Sequence, residues 1–194
     1  MDIGRDRDLL LELQQGNIEA LGALYDRHHQ RVYRTALAVT SDSEAAEDLL
    51  QDVFLRLHRF AHRVDPQRPL EPWLYRVTTN LSYTWVKRNN RWRRYLVEMR
   101  DWIVRERRPS PHRKIERDEE ILEVRRAIAS LPVSQRVVVV LYYVNDLSLV
   151  EIAEILEIPE GTVKSRLHYA RQNLKGKLGL QNEIGAEVKF EYIL

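Results

Sequence analysis

Between residues 158 and 174 the chain reads IPEGTVKSRLHYARQNL. Lys164, Ser165, Arg166, His168, Tyr169 and Arg171 are residue types that bind rather than react. Lys and Arg side chains meet backbone phosphates, or the O6/N7 edge of guanine, when a helix enters the major groove. Val163, Leu167, Ala170 and Leu174 recur every three or four residues, so one helical face is apolar and the opposite face carries those polar side chains. Residues 160–178 hold five Lys/Arg (164, 166, 171, 175, 177) and a single acid, Glu160. A basic helix after a short capped one is the helix-turn-helix pattern. The alternative at this point is an αα-hairpin with a solvated basic face.

A second set lies at 44–62. Its polar face carries Glu44, Glu47, Asp48, Gln51, Asp52, Arg56 and Arg59, with Leu55 in the middle. The other face is already a complete apolar stripe of Ala46, Leu49, Leu50, Val53, Phe54, Leu57 and Ala61. Acids this dense repel phosphate, and a Leu ringed by charge suits a protein-docking surface. A solvated face with one stray Leu is the plain alternative.

The third set is WLYRVTTNLSYTWVKRNNRWRR, residues 73–94. Arg76, Asn80, Tyr83 and Lys87 follow at steps of four, three and four, on one helical face. Positive charge interleaved with aromatic rings suits single-stranded nucleic acid, where cations track phosphates and rings stack on bases. Trp73 falls in the apolar stripe and reads as core, while Trp85 and Trp92 fit either role. A basic amphipathic helix packed on its neighbours is the alternative.

Signals for covalent chemistry are lacking. His58 and His62 stand at i, i+4, but no HExxH context surrounds them and Arg59 and Arg63 flank them, so no metal site is expected. There is no G-x-G-x-x-G, no Walker lysine loop and no G-x-S-x-G. Neither an enzyme nor a bound cofactor is expected.

These faces need helices to position them. Asn17 caps a helix to about residue 40, with Leu21, Leu24, Tyr25, Val32 and Ala36 inward. TSDS (40–43) breaks it and offers caps for the next. HRVDPQRPLEP (62–72) is a loop, and Pro72 suits the first turn of the helix carrying Trp73, Leu74, Val77 and Leu81. Residues 96–118 lose periodicity and contain RPSPH, which reads as a linker with some helical character. A helix with Ile121, Val124 and Ile128 inward ends near Leu131-Pro132. RVVVVLYYV (136–144) favours a strand by propensity. With no comparable strand nearby, a buried helix is the expectation. Ser148 and Glu151 form a capping box for a short helix with Ile152, Ala153 and Leu156 inward. Val188, Phe190 and Tyr192 alternate in the tail, a weak strand-like signal.

The bulk numbers agree. The chain has 194 residues, 44% hydrophobic and 31% charged, with only 7 Gly and 7 Pro, a composition that suits long helices. No Cys excludes a disulfide framework and fits a reducing cytosol. No 18-residue apolar run and no signal-peptide core are present, so membrane insertion is not expected and a cytoplasmic location is. The net charge of +2 hides a polarised chain. Residues 86–114 carry eleven Lys/Arg against three acids, whereas 42–52 carries five acids and no Lys or Arg. Two charged partners of different kinds are implied.

In this order the segments resemble a bacterial RNA polymerase sigma factor of the extracytoplasmic-function (ECF) type. ALYDRHHQRVYRTALAVTSDSEAAEDLLQDVFLRLHRF is similar to the start of the family's region 2, and EPWLYRVTTN to the segment that follows it. LPVSQRVVVVLYYVNDLSLVEIAEILEIPEGTVKSRLHYARQNLKGKL resembles region 4 nearly throughout.

The resemblance implies an all-α fold of two small helical domains joined by a basic linker, and makes 136–144 helical. The implied division is region 2 at 1–95, linker at 96–118, region 4 at 119–178 and tail at 179–194. It implies a promoter-specificity subunit that binds core RNA polymerase, recognises −35 and −10 elements and helps melt DNA. Polymerase binding falls on Asp48, Gln51, Asp52, Leu55 and Arg56, against a coiled coil of the largest-subunit clamp. Melted −10 DNA falls on Arg76, Asn80, Tyr83, Lys87 and Arg88, with the 62–71 loop as a candidate pocket for an extruded base. The −35 duplex falls on Lys164, Ser165, Arg166, His168, Tyr169 and Arg171. Implied partners are core polymerase, touched through region 4 at its second-largest subunit as well, promoter DNA and an anti-sigma factor.

Three departures stand out. Glu157 occupies a turn position where Gly is common, which predicts slight strain. Thr84 stands where the family often has an acid, and DPQRPLEP is unusually Pro-rich. A duplex-binding regulator working alone would need neither the acidic nor the aromatic-basic helix. A sigma-like decoy for an anti-sigma factor would not need the promoter-facing surfaces.

Overall fold

The computed structural model describes the backbone of residues 3–100 and 116–178, and the side chains of 4–90 and 122–178. Among these residues there are eight α-helices and no strand: α1 (Ile3–Gln14), α2 (Ile18–Thr40), α3 (Ser43–Phe60), α4 (Glu71–Arg100), α5 (Glu116–Ala129), α6 (Val133–Tyr143), α7 (Leu149–Leu156) and α8 (Glu160–Lys177). Most of the expected linker, 101–115, and the tail with its strand-like alternation lie outside the described residues, as do the side chains of Trp92 and Ile121.

Local chemistry sets the boundaries. Asn17 accepts a hydrogen bond from the Glu19 amide (3.0 Å), capping α2. Ser41 closes α2 at φ 58°, its amide bonding Leu37 O, and Asp42 then caps α3 through the Ala45 amide at 3.0 Å. Of the polar residues in TSDS, Asp42 takes the cap of α3. Ser148 and Glu151 form the reciprocal capping box at α7. The Val-rich run 136–144 is helix α6 with Val137 to Leu141 all buried, its strand propensity overridden by packing on every side.

The helix α1 had no counterpart among the expected elements. Only Leu10 and Leu13 of this short, charged helix enter the core. It is held instead by polar contacts: Asp6 pairs with Arg27 (2.6 Å) and His28 (2.9 Å), and the Gln14 amide donates to the carbonyls of Ala61 and Val64. Gly16, at φ 95°, supplies the turn into α2 that a residue with a Cβ rarely adopts.

Leu24, Val32, Val53, Phe54, Leu57 and Leu74 form the heart of the core among α1–α4. The apolar stripe of α8 is buried as the spacing predicts, through Val163, Leu167, Ala170 and Leu174. Each large aliphatic side chain in such a position stabilises by roughly 1.5–3 kcal/mol relative to exposure. Tyr25 was expected inward; its ring edge meets Phe54, but it stacks on His29 and stays partly exposed.

The two halves share a core. Ala38 and Val39 of α2, with Tyr75 and Val86 of α4, belong to one buried cluster with Ile128, Val138, Ile152 and Leu167. Polar contacts reinforce the seam. Thr35 and Asn145 hydrogen-bond at 2.9 Å, and Arg136 reaches Val39 O.

Candidate nucleic-acid interface

On α3, Asp48, Gln51, Asp52, Leu55 and Arg56 are all exposed, while Leu49, Leu50, Val53, Phe54 and Leu57 are buried. Leu55 is 64% exposed, the largest value among the described large apolar residues. The stripe on the far side of the helix is complete without it, so folding does not account for this Leu.

On α4, Thr78, Thr79 and Ser82 are buried, and the first two return their hydroxyl protons to helix carbonyls one turn back. The opposite side carries Asn80, Tyr83, Lys87 and Arg88, with Asn80, Lys87 and Arg88 exposed. The Lys87 ammonium lies 4.7 Å from the Tyr83 ring centroid, a cation–π pair that presents charge and ring together. Thr84 is exposed, its hydroxyl donating to Asn80 O. Trp85 is half-buried against the shared core.

Arg76 departs from this row. Its Nε donates to Ile155 O (3.1 Å), Nη2 to Glu154 O (2.8 Å) and Nη1 to Glu157 Oε1 (2.7 Å). The two carbonyls belong to the last turn of α7, at the negative end of its dipole, and Glu154 O also accepts the Glu157 amide at 3.4 Å. Glu157 is the C-cap of α7 in the left-handed region, φ 53° and ψ 45°. The turn position where strain was expected is thus strained, and its carboxylate has a partner. Spacing placed Arg76 on the same face as Asn80, but nothing in the sequence pairs it with a residue 81 positions away.

The polar face of α8 points largely to solvent. Lys164, Ser165, His168 and Tyr169 are exposed, and Arg166 is half-exposed. Lys164 pairs with Glu160 at 2.7 Å, Ser165 donates to Thr162 O, and His168 hydrogen-bonds Gln172. Arg171 turns to α6, where its Nε donates to Tyr143 Oη (2.8 Å) and its guanidinium lies 5.5 Å from the Tyr142 ring.

A cavity of about 560 Å³ opens at the seam, where Arg31, Arg34, Glu71 and Tyr75 face Asn145 and Asp146. Pro69 also lines it, so the loop that was a candidate base pocket contributes to a space shared with the second half. Burial pushes the Tyr75 phenol up, partly countered by Arg31 and a hydrogen bond with Asn145. Asp6, His28 and Glu71 bring possible ligand atoms within 4.8 Å of one another. Arg27 and Arg31 already pair with those carboxylates, so the cluster is an ion-pair network.

Among the described residues, an all-helical fold with an acidic face around a bare Leu, a basic helix with aromatic rings and a capped helix-turn-helix has the architecture of a DNA-binding regulatory factor. The Sigma-70 region 2 family model matches residues 24–92, and the Sigma-70, region 4 model matches residues 121–174. The ECF RNA polymerase sigma factor SigW of Bacillus subtilis (strain 168) is 31% identical over 176 residues, covering 86% of this chain and 93% of the relative. The ECF RNA polymerase sigma factor SigM of Mycobacterium tuberculosis (strain ATCC 25618 / H37Rv) is 32% identical over 178 residues, covering 91% and 86%. Among solved structures, CnrH in complex with the cytosolic domain of CnrY superposes with a TM-score of 0.65 at 24% identity, covering 92% of this chain and 99% of that one. The sigma factor RpoE bound to the anti-sigma factor NepR from Bartonella quintana gives 0.63 at 21%, covering 83% and 98%. The protein belongs to the ECF RNA polymerase sigma factors. Its family acts in promoter-specific transcription initiation with RNA polymerase, as non-catalytic factors. No described helix is long and apolar enough to cross a membrane.

Proposed function

We propose that this chain grips core polymerase at one face and promoter DNA at two others. The exposed face of α3, with Asp48, Gln51, Asp52, Leu55 and Arg56, docks on the clamp coiled coil of the largest subunit. The α4 row of Arg76, Asn80, Tyr83, Lys87 and Arg88 holds the melted non-template strand of the −10 element. The α8 face of Lys164, Ser165, Arg166, His168 and Tyr169 reads the −35 duplex, with Arg166 and Lys164 nearest in type to phosphate and guanine ligands, while Arg171 braces α8 on α6. Region 4 also contacts the second-largest subunit. Residues 1–95, 96–118 and 119–178 act as region 2, linker and region 4, with 179–194 as a tail.

The observation that carries this reading is the separation of surfaces. The acidic face with its bare Leu55 and the two basic faces lie on three different helices; α3 and α8 each bury an apolar stripe behind that face, and α4 buries Leu74, Tyr75 and Val86 together with Thr78, Thr79 and Ser82. An anti-sigma factor is a fitting further partner, since the sigma factor RpoE was solved in complex with the anti-sigma factor NepR. The protein works in the cytoplasm, where polymerase and promoter are.

Run-off transcription from a cognate promoter with purified core polymerase tests the proposal. Transcripts that depend on the chain, and that vanish when either promoter element is scrambled, are the expected result. A chain that neither binds core nor supports initiation overturns it.

A further inference from the structure

Arg76 is the only member of the proposed −10 row whose guanidinium is engaged by the other half of the described chain. A carboxylate oxygen and two carbonyl oxygens, at 2.7, 2.8 and 3.1 Å, occupy all three of its nitrogens. That set of acceptors is what a DNA phosphate would offer the same fork. Three features make the contact more than a passing surface pair. The carbonyls close the exposed end of α7, so the arginine caps a helix from outside its own half. Glu157 sits at φ 53°, a conformation that disfavours most side chains, yet the position carries a long acid rather than Gly. The same seam is held by Arg136 on Val39 O and by Thr35 with Asn145.

We propose that Arg76 and Glu157 form an ionic latch that holds the helix-turn-helix against the single-strand-binding row, with Glu157 and DNA phosphate competing for one guanidinium. The DNA half of this statement rests on the −10 reading above; the latch itself rests on the geometry. In the closed chain the outward residues of α3 and α8 stay exposed, as do Asn80, Lys87 and Arg88, so the latch withholds Arg76 from the row. The pair is 41% and 71% exposed on its two sides. Such pairs are individually weak and screened by salt. Weakness suits a contact that must be exchanged for phosphate.

The chain has no Cys, so Glu19→Cys and Gln172→Cys, both at exposed positions, place a donor–acceptor dye pair across the seam. The open fraction is read by energy transfer in the full chain, from about 0.05 M to about 1 M NaCl. With Glu157→Gln it should start about two- to fivefold higher than in the parent at low salt and converge with it at high salt. Arg76→Lys, which keeps the charge but loses the fork, should fall between the two. Low-salt titration with an oligo(dT) of about 20 nucleotides should open Glu157→Gln at a correspondingly lower concentration. Superimposed salt curves for all variants, with helicity unchanged by circular dichroism, overturn the latch. Salt curves that differ while oligo(dT) leaves the open fraction of every variant unchanged support the latch and overturn its competition with DNA.

Discussion

Arg136 on α6 donates to the carbonyl of Val39 on α2 at 2.6 Å, joining the two halves through a cation whose hydrogen-bond acceptors among the described residues are carbonyls. Its other terminal nitrogen reaches the carbonyls of Ala129 and Leu131, where α5 ends. Only 6% of the residue is exposed, and Nε has no partner. Burial lowers its pKa from the ordinary arginine value. The ends of two helices supply the negative potential that offsets this desolvation.

Removing that side chain leaves three carbonyls short of a donor, those of Val39 and Leu131 in buried contacts and that of Ala129 in a partly buried one. Arg136→Ala should destabilise the fold by about 2–4 kcal/mol in urea unfolding. Arg136→Lys should recover only part, because one ammonium does not span both helix ends. A loss no larger than that of an exposed arginine such as Arg56→Ala would refute the dual-capping role.

Leu55 offers the opposite case. Being exposed, Leu55→Ala should shift stability by no more than about 0.5 kcal/mol. If it anchors the docking face, the same change should weaken core-polymerase binding about tenfold, or about 1.4 kcal/mol. Fluorescence anisotropy of labelled chain against core polymerase measures this. Unchanged affinity would return Leu55 to the class of stray surface leucines.

The capping box makes a pH-dependent prediction. Hydrogen bonds from the Ser148 side chain and amide hold the Glu151 carboxyl below its ordinary value of 4.5. A carboxylate depressed in the folded state stabilises it above about pH 4.5, and that contribution fades as pH falls through the lower folded value. Ser148→Ala should therefore cost about 1 kcal/mol at neutral pH and progressively less in acid. Thermal melts at both pH values check it, and an equal gap at each would exclude the carboxylate as the cause.

Periodicity revealed what a single helix could state by itself. The buried stripe of α8, the caps Asn17 and Ser148, and the exposure of Leu55 all follow from residues within one helix or its flanking turn. What escaped detection depends on partners far apart in the chain. α1 is too short and charged for its periodicity to stand out, because Asp6 is buried only by virtue of Arg27 and His28. Arg76 shared a face with Asn80 and Tyr83, but its engagement by α7 rests on a tertiary contact. Arg171 looked like its neighbours on α8 until Tyr142 and Tyr143 were placed beside it. The strain at Glu157 was legible because a turn between two helices at that spacing asks for positive φ.

Lys164 is the sharpest test of the α8 face. It is exposed, sits one turn from the start of the helix, and pairs with Glu160 at 2.7 Å, a contact within reach of solvent. In a phosphate-binding role it exchanges that carboxylate for DNA. Lys164→Ala should weaken binding to promoter duplex by a similar factor for every sequence tried, and reduce the slope of log affinity against log salt by about 1. Glu160→Gln should do the reverse, raising affinity most at low salt by freeing the ammonium and removing a charge that repels phosphate. Arg166→Ala, by contrast, should relax discrimination at one base pair by about 1–3 kcal/mol if it reads a guanine edge. Filter binding across a salt series, with cognate and single-base-variant duplexes, separates these outcomes. A salt slope untouched by Lys164→Ala would remove that residue from the interface and turn the proposed reading face away from the phosphate backbone.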